Sequence, residues 1–169
     1  IIVVGNLIVD VLQEYYFRRR SYYESLANQT FFKTRGIEKG KYYLMTCHRR
    51  ENLVSRDTMS NILLMLSLSP YPIYFPAGYR TQHVLREMQL VLPSNVIMVD
   101  PIGYEDMICL MVNSRGIITD SGTVVEEACV LQIPSIQMRK STERPQVYDA
   151  RSSVKYDPSA SGGNTTDGI

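Results

Sequence analysis

The sequence predicts an α/β fold, a parallel sheet with helices on both faces. Short apolar, β-branched or aromatic runs alternate with stretches of helical period along nearly the whole chain, the pattern of repeated strand–helix units. The charged and hydroxyl-rich loops at 47–52, 119–123 and 139–145 each follow such a run, which puts them together at the carboxyl edge of one sheet. Length and composition agree: 169 residues suit one domain, and 44% hydrophobic with 21% charged residues is ordinary for a globular chain.

In order, Ile1–Val4 reads as a strand that passes through Gly5-Asn6 into a helix over Leu7–Phe17. There Leu7, Ile8, Val11, Leu12 and Tyr15 recur at helical spacing. Arg18-Arg19-Arg20 would complement the dipole at the end of that helix on a solvated face. A short helix is expected around Tyr22–Asn28, then a loop closed by Gly36 and Lys39-Gly40. Lys41–Cys47 is an apolar, aromatic strand. Arg56–Leu66 is a helix with Met59, Ile62, Leu63 and Leu66 inward. Pro70 and Pro72 mark the turn into strand Ile73–Pro76. Ala77–Arg80 is a loop, and Thr81 caps a helix that Pro93 ends after Leu92. His83, in its first turn, reads as a surface residue. Strand Val96–Val99, the loop Asp100–Gly103 and helix Tyr104–Val112 follow. Next come strand Gly116–Thr119, helix Thr123–Leu131, strand Ile133–Met138 entered through Pro134, and a last strand Ser153–Tyr156. The Gly/Ser/Asn/Thr-rich end, 158–169, has the composition of a flexible tail.

Composition also excludes classes. A net charge of +1 gives no electrostatic case for nucleic acid or anionic membrane. No apolar run reaches the length of a bilayer span, and nothing resembles a signal peptide. Cys47, Cys109 and Cys129, odd in number and scattered, read as reduced buried thiols and point to the cytosol. Beginning directly on a strand, the sequence reads as a piece of a longer protein.

Chemistry concentrates in Thr119–Glu127, Thr-Asp-Ser-Gly-Thr-Val-Val-Glu-Glu. A strand that ends in Asp-Ser-Gly and opens a helix exposes unpaired N–H groups at the positive end of the helix dipole, a seat for phosphate. Ser121 adds a hydroxyl and Gly122 allows close approach. Glu126 and Glu127, one turn inside, can accept hydrogen bonds from a diol such as a ribose. The plainer reading is a helix cap with Ser121 as N-cap. The three converging loops favour the site. Past Cys47, His48-Arg49-Arg50-Glu51-Asn52 would stand at the same edge. His48 suits proton transfer or phosphate binding, against the alternative of an exposed charged turn. Arg144, fixed by Pro145, could grip a phosphate with its planar fork.

Four ordered motifs then resemble the non-hydrolysing UDP-N-acetylglucosamine 2-epimerases. Gly5-Asn6 with Ile8-Val9-Asp10 is similar to their hinge strand and helix, and Thr46–Asn52 to their His-Arg-Arg-Glu-Asn segment. Asp120-Ser121-Gly122 with Glu126-Glu127-Ala128 resembles Asp-Ser-Gly-Gly…Glu-Glu-Ala, and Thr142–Pro145 their Thr-Glu-Arg-Pro. The resemblance covers most of this chain and the second half of the family's proteins. It implies the C-terminal, Rossmann-like UDP-binding lobe of a glycosyltransferase-B-like two-domain fold. Residues 1–157 would form the lobe, with 1–17 its hinge strand and helix; the N-terminal lobe would be absent from this chain.

The implied reaction interconverts UDP-N-acetylglucosamine and UDP-N-acetylmannosamine by elimination and re-addition of UDP, without metal or nicotinamide cofactor. Carried over by position, Ser121, Gly122 and Thr123 would hold the diphosphate and Glu127 the ribose. His48 and Arg144 would stabilise the leaving UDP, Met107 would lie near the base, and Ile102 would be a further UDP-binding residue. The implied partners are the UDP-sugar, the N-terminal lobe and, at full length, a second copy. The pattern departs at Thr123, where a second glycine is usual, and at Val125, where glutamine is. It departs also at Gly78-Tyr79, where His-Pro is usual in a loop that binds a regulatory UDP-N-acetylglucosamine, and at Met107, where an aromatic ring is. A relative acting on another UDP-2-acetamido sugar fits these changes. Two readings from other classes stay open: a glycosyltransferase donor lobe and a non-catalytic nucleotide-binding module.

Overall fold

The computed structural model describes residues 5–160; the expected strand Ile1–Val4 and the end of the chain from 161 lie outside the described residues. Strands β1 (Tyr43–Thr46), β2 (Ile73–Pro76), β3 (Val96–Val99), β4 (Gly116–Thr119), β5 (Ser135–Met138) and β6 (Ser153–Tyr156) form one sheet in the order β3-β2-β1-β4-β5-β6. Every pairing is parallel. The expected α/β architecture, a Rossmann-like sheet, is therefore present. Strand order reverses between β1 and β4, where Thr46 stands opposite Thr119.

Helices cover both faces. Leu44, Tyr74 and Ile117 point to one side, against Leu12 of α1 (Leu7–Tyr15), Tyr23 of α2 (Arg20–Leu26) and Phe31 and Phe32 of α3 (Gln29–Lys33). Ile108–Met111 of α7 (Tyr104–Val112) and Ala128 of α8 (Gly122–Val130) join the same cluster. The neighbouring strand residues Met45, Phe75 and Ile118 point the other way. They meet Leu53 of α4 (Arg50–Leu53), four core residues of α5 (Arg56–Ser67) and Leu85 of α6 (Tyr79–Glu87). The two-residue alternation of the strands thus splits the core into two layers.

Several expectations need correction. The first helix ends at Tyr15; Phe17–Arg19 form a 3-10 turn, and Arg20 opens α2. The arginine triplet therefore does not cap the end of α1. Instead Arg18 pairs with Glu14, Arg19 with Glu105 at 2.7 Å and Arg20 with Glu24 at 3.4 Å. Thr81 is not a cap: α6 starts at Tyr79 after Gly78, and the buried Thr81 hydroxyl donates to the Cys47 carbonyl at 2.8 Å. The loops at 47–52 and 139–145 each run into a four-residue helix, α4 and α9 (Gln146–Asp149).

Candidate functional site

In an open parallel sheet the crevice for a ligand lies off the carboxyl ends of the strands at the point where the order reverses. Here that point is the β1–β4 pair, closed at its end by a 2.6 Å contact between the Thr46 and Thr119 hydroxyls. Asp120, fully buried just beyond β4, ties the two strand ends together. Its carboxylate accepts the backbone N–H of His48 at 2.9 Å, that of Arg49 at 2.7 Å and the Asn52 side-chain amide at 3.1 Å. A carboxylate holding several N–H groups is a rigid strut, and this one fixes the His48–Asn52 loop beside α8. The Cys47 thiol next to it is pushed well up by burial and then by the Asp120 charge, so it is inert packing.

Ser121 is the N-cap of α8, with its hydroxyl accepting from Val124 N at 3.4 Å, so the cap reading holds. The cap leaves the N–H groups of Gly122 and Thr123 without intrahelical partners. Thr123 is exposed, while Gly122 is buried. The space over Gly122 is already contested: a β-carbon there would lie 3.0 Å from Glu143 Oε1 and 3.8 Å from Arg49 Nη2. Glu143 bridges Arg49 at 3.1 Å and Arg139 at 2.6 Å, and Arg139 also holds Glu51 at 3.0 Å.

The adjacent glutamates have separate surroundings. Glu126 accepts from the Asn6 amide at 2.9 Å, and its other oxygen lies 2.9 Å from Arg144 Nε. That buried N–H does not point at the oxygen and has no acceptor, so the contact is an ion pair rather than a hydrogen bond. Glu127 accepts only the Tyr104 hydroxyl, at 2.8 Å, and burial pushes its carboxyl up.

His48, Ser121, Gly122, Thr123, Glu127 and Arg144 are thus carried by one sheet edge. His48 Nδ1 lies 3.4 Å from Asp120, and its side chain is 57% exposed toward solvent. Met107 and Ile102 are partly buried and pack against the core layer that includes residues of α1, α7 and α8. Sequence reasoning named Asp120 only as part of a motif, and passed over Asn6, Tyr104, Arg139 and Glu143 as site residues. An acid directly after a buried strand was the available signal for Asp120; the others reach the site through tertiary contacts. Among the described residues no group of three or more His, Cys, Asp or Glu is placed to hold a metal ion.

Strand order and crevice define a Rossmann-like α/β lobe with an anion-receptive helix N-terminus at its switch point. Over residues 1–161 the chain matches the model of the UDP-N-acetylglucosamine 2-epimerase family, and it belongs to that family. It is 33% identical over 162 residues to the UDP-N-acetylglucosamine 2-epimerase of Methanocaldococcus jannaschii, covering 91% of this chain and 43% of that protein. The crystal structure of that archaeal enzyme in complex with UDP-GlcNAc and UDP superposes with a TM-score of 0.77 at 29% identity, over 93% of this chain and 44% of that one. A UDP-2,3-diacetamido-2,3-dideoxy-D-glucuronate 2-epimerase of Pseudomonas aeruginosa is 35% identical over 105 residues, covering 60% of this chain and 29% of that protein. The chain therefore spans well under half the length of these relatives.

Proposed function

We propose that this chain is the UDP-binding lobe of a UDP-N-acetylglucosamine 2-epimerase, with residues 1–157 as the lobe and 1–17 as its hinge. The observation that carries the reading is Glu127. It is 5% exposed and bonded only by a phenol, with no cation in salt-bridge range among the described residues. A buried carboxylate without a counter-charge costs stability and has a chemical use when it waits for hydroxyl donors. Placed one turn beyond the open N–H groups of Gly122 and Thr123, it takes the ribose hydroxyls while α8 holds the diphosphate.

The rest of the assignment follows from charge. As the sugar C1–O bond breaks, negative charge gathers on the departing diphosphate, and the α8 dipole, Arg144 and His48 stabilise it. The same groups hold UDP for re-addition. The base that takes the C2 proton belongs to the remainder of the full-length protein, whose other lobe closes over the sugar; the full-length protein pairs with a second copy. Cys129, expected to be buried, is only partly so, but the buried free thiols of Cys47 and Cys109 support a reducing, cytoplasmic setting. No helix among the described residues is long and apolar enough to cross a membrane.

Calorimetry with UDP tests the site. Arg144→Ala is expected to weaken binding by about 1.5–3 kcal/mol, the worth of a charged hydrogen bond. Unchanged affinity removes Arg144 from the diphosphate.

A second reading keeps the chemistry and changes the sugar to another UDP-2-acetamido hexose. Thr123 and Gly78-Tyr79, with the diacetamido-glucuronate relative, favour it. Comparing turnover of the two sugar classes by the full-length protein decides between them.

A further inference from the structure

The seat over Gly122 is occupied by part of the chain itself. Glu143, in the loop between β5 and α9, puts Oε1 3.0 Å from the position of a Gly122 β-carbon. Arg49 Nη2 holds that oxygen at 3.1 Å, and Arg139 Nη1 holds the other at 2.6 Å. A helix N-terminus and two guanidinium groups around one negative group form the surroundings of a bound phosphate. Here the negative group is a carboxylate of the protein.

We propose that Glu143 is a resident anion in the diphosphate seat, and that Arg49 is a further diphosphate-binding residue that exchanges Glu143 for a phosphate oxygen when a nucleoside diphosphate enters. This rests on the reading of the site given above. Two anions cannot share the seat, because like charges a few ångströms apart repel strongly away from bulk water. The arginines differ in their freedom to respond. Arg139 has a side chain only 9% exposed and keeps Glu51 at 3.0 Å when Glu143 leaves, so it stays as a fixed wall. Arg49 is 36% exposed, and Glu143 is its one carboxylate partner among the described residues. It can follow the phosphate. Glu143, 45% exposed, can swing into solvent and be rehydrated, so its displacement costs little. An uncharged ligand gains nothing from the exchange. The seat thereby favours ligands that bring their own negative charge.

Calorimetry of the 169-residue chain with UDP, inorganic diphosphate and uridine tests the exchange. Glu143→Gln keeps the shape and removes the charge. It is expected to tighten UDP and diphosphate by roughly threefold to fivefold, the factor that an exposed ion pair is worth, and to leave uridine unchanged. Arg49→Ala is expected to weaken both phosphate ligands by about tenfold or more and to spare uridine. In the Arg49→Ala background the gain from Glu143→Gln shrinks. Thermal melts of the same samples separate fold damage from binding. A cooperatively folded Glu143→Gln chain that binds diphosphate no better than wild type overturns the proposal. If Glu143→Gln does not fold, Arg49→Ala decides alone: equal losses for uridine and diphosphate, or no loss at all, overturn it. Failure of the site reading is distinct, since Arg144→Ala and Glu127→Gln would then leave UDP affinity untouched. If those two variants act while the Glu143 and Arg49 variants do not, only the exchange fails.

Discussion

Glu126 and Glu127 are neighbours in sequence with unlike surroundings, and they respond differently to substitution. Glu126 has an amide and a guanidinium against it, whereas Glu127 has only a phenol. Burial raises the Glu127 carboxyl, partly offset by the Tyr104 hydrogen bond, and both burial and the nearby carboxylate raise the Tyr104 phenol. A carboxyl raised in the folded state stabilises the fold fully below its unfolded value, and that stability is lost as pH rises through the folded value. Near neutrality Glu127 is therefore a liability. Glu127→Gln is expected to raise stability at pH 7 by roughly 0.5–2 kcal/mol and to flatten the decline in stability that sets in as pH rises above the ordinary carboxylate range, read from melts across a pH series. The same variant should weaken UDP more than inorganic diphosphate; equal losses would take Glu127 off the ribose. His48 makes the opposite prediction. Its largely exposed side chain contributes little packing, so His48→Ala should melt near wild type. Turnover of the full-length protein is expected to fall by about 10²–10⁴-fold, the usual worth of a positioned acid or base. A fully active variant would return His48 to an exposed turn.

Among the elements, the strut from Asp120 to the β1–α4 loop has the largest structural consequence. Asp120→Ala strands the buried N–H groups of His48 and Arg49 and the Asn52 amide, at a cost of about 3 kcal/mol or more. Asp120→Asn, which keeps one acceptor oxygen, should lose less. Urea titrations measure both, with an unchanged denaturant slope marking a local loss. Strands β2, β3, β4 and β6 and helix α7 stand where hydrophobic runs and period placed them. Short helices did not show. At five, four and four residues, α3, α4 and α9 complete about one turn, too little for a helical period to register. Thr81 misled for a different reason. A hydroxyl near a helix start suggests a cap, but its partner is the Cys47 carbonyl, 34 residues away in sequence, and such a bond leaves no local trace. The site divided similarly. Ser121, Gly122, Glu127 and Arg144 are marked by motif chemistry, whereas Tyr104 and Glu143 join them through contacts that only the folded sheet edge creates.

At the scale of the molecule, the proposed function makes this chain one side of a cleft. It spans 43% of its archaeal relative, and at its sheet edge Glu51, Glu126 and Glu143 are paired with arginines while Asp120 is engaged by the N–H groups of the β1–α4 loop. The 169-residue chain is therefore expected to bind UDP without exchanging the C2 proton of UDP-N-acetylglucosamine for solvent deuterium. UDP at a hundred times its dissociation constant should stabilise the chain by about 2.7 kcal/mol, a rise of roughly 5–10 °C in Tm. Deuterium appearing at C2 with this chain alone would overturn the assignment of the base to the rest of the protein. The pairing of β1 with β4 also bears on how the cleft comes into being. Thr46 and Thr119, whose contact closes the crevice, are 73 residues apart in sequence, with two further strands and their helices between them. Loop-closure entropy delays such a pairing relative to the β1–β2 and β2–β3 contacts, which are nearer in sequence. During refolding the phosphate seat should thus mature after the β1–β3 half of the sheet has gained protection from hydrogen exchange, and UDP added early should accelerate nothing until β4 has docked.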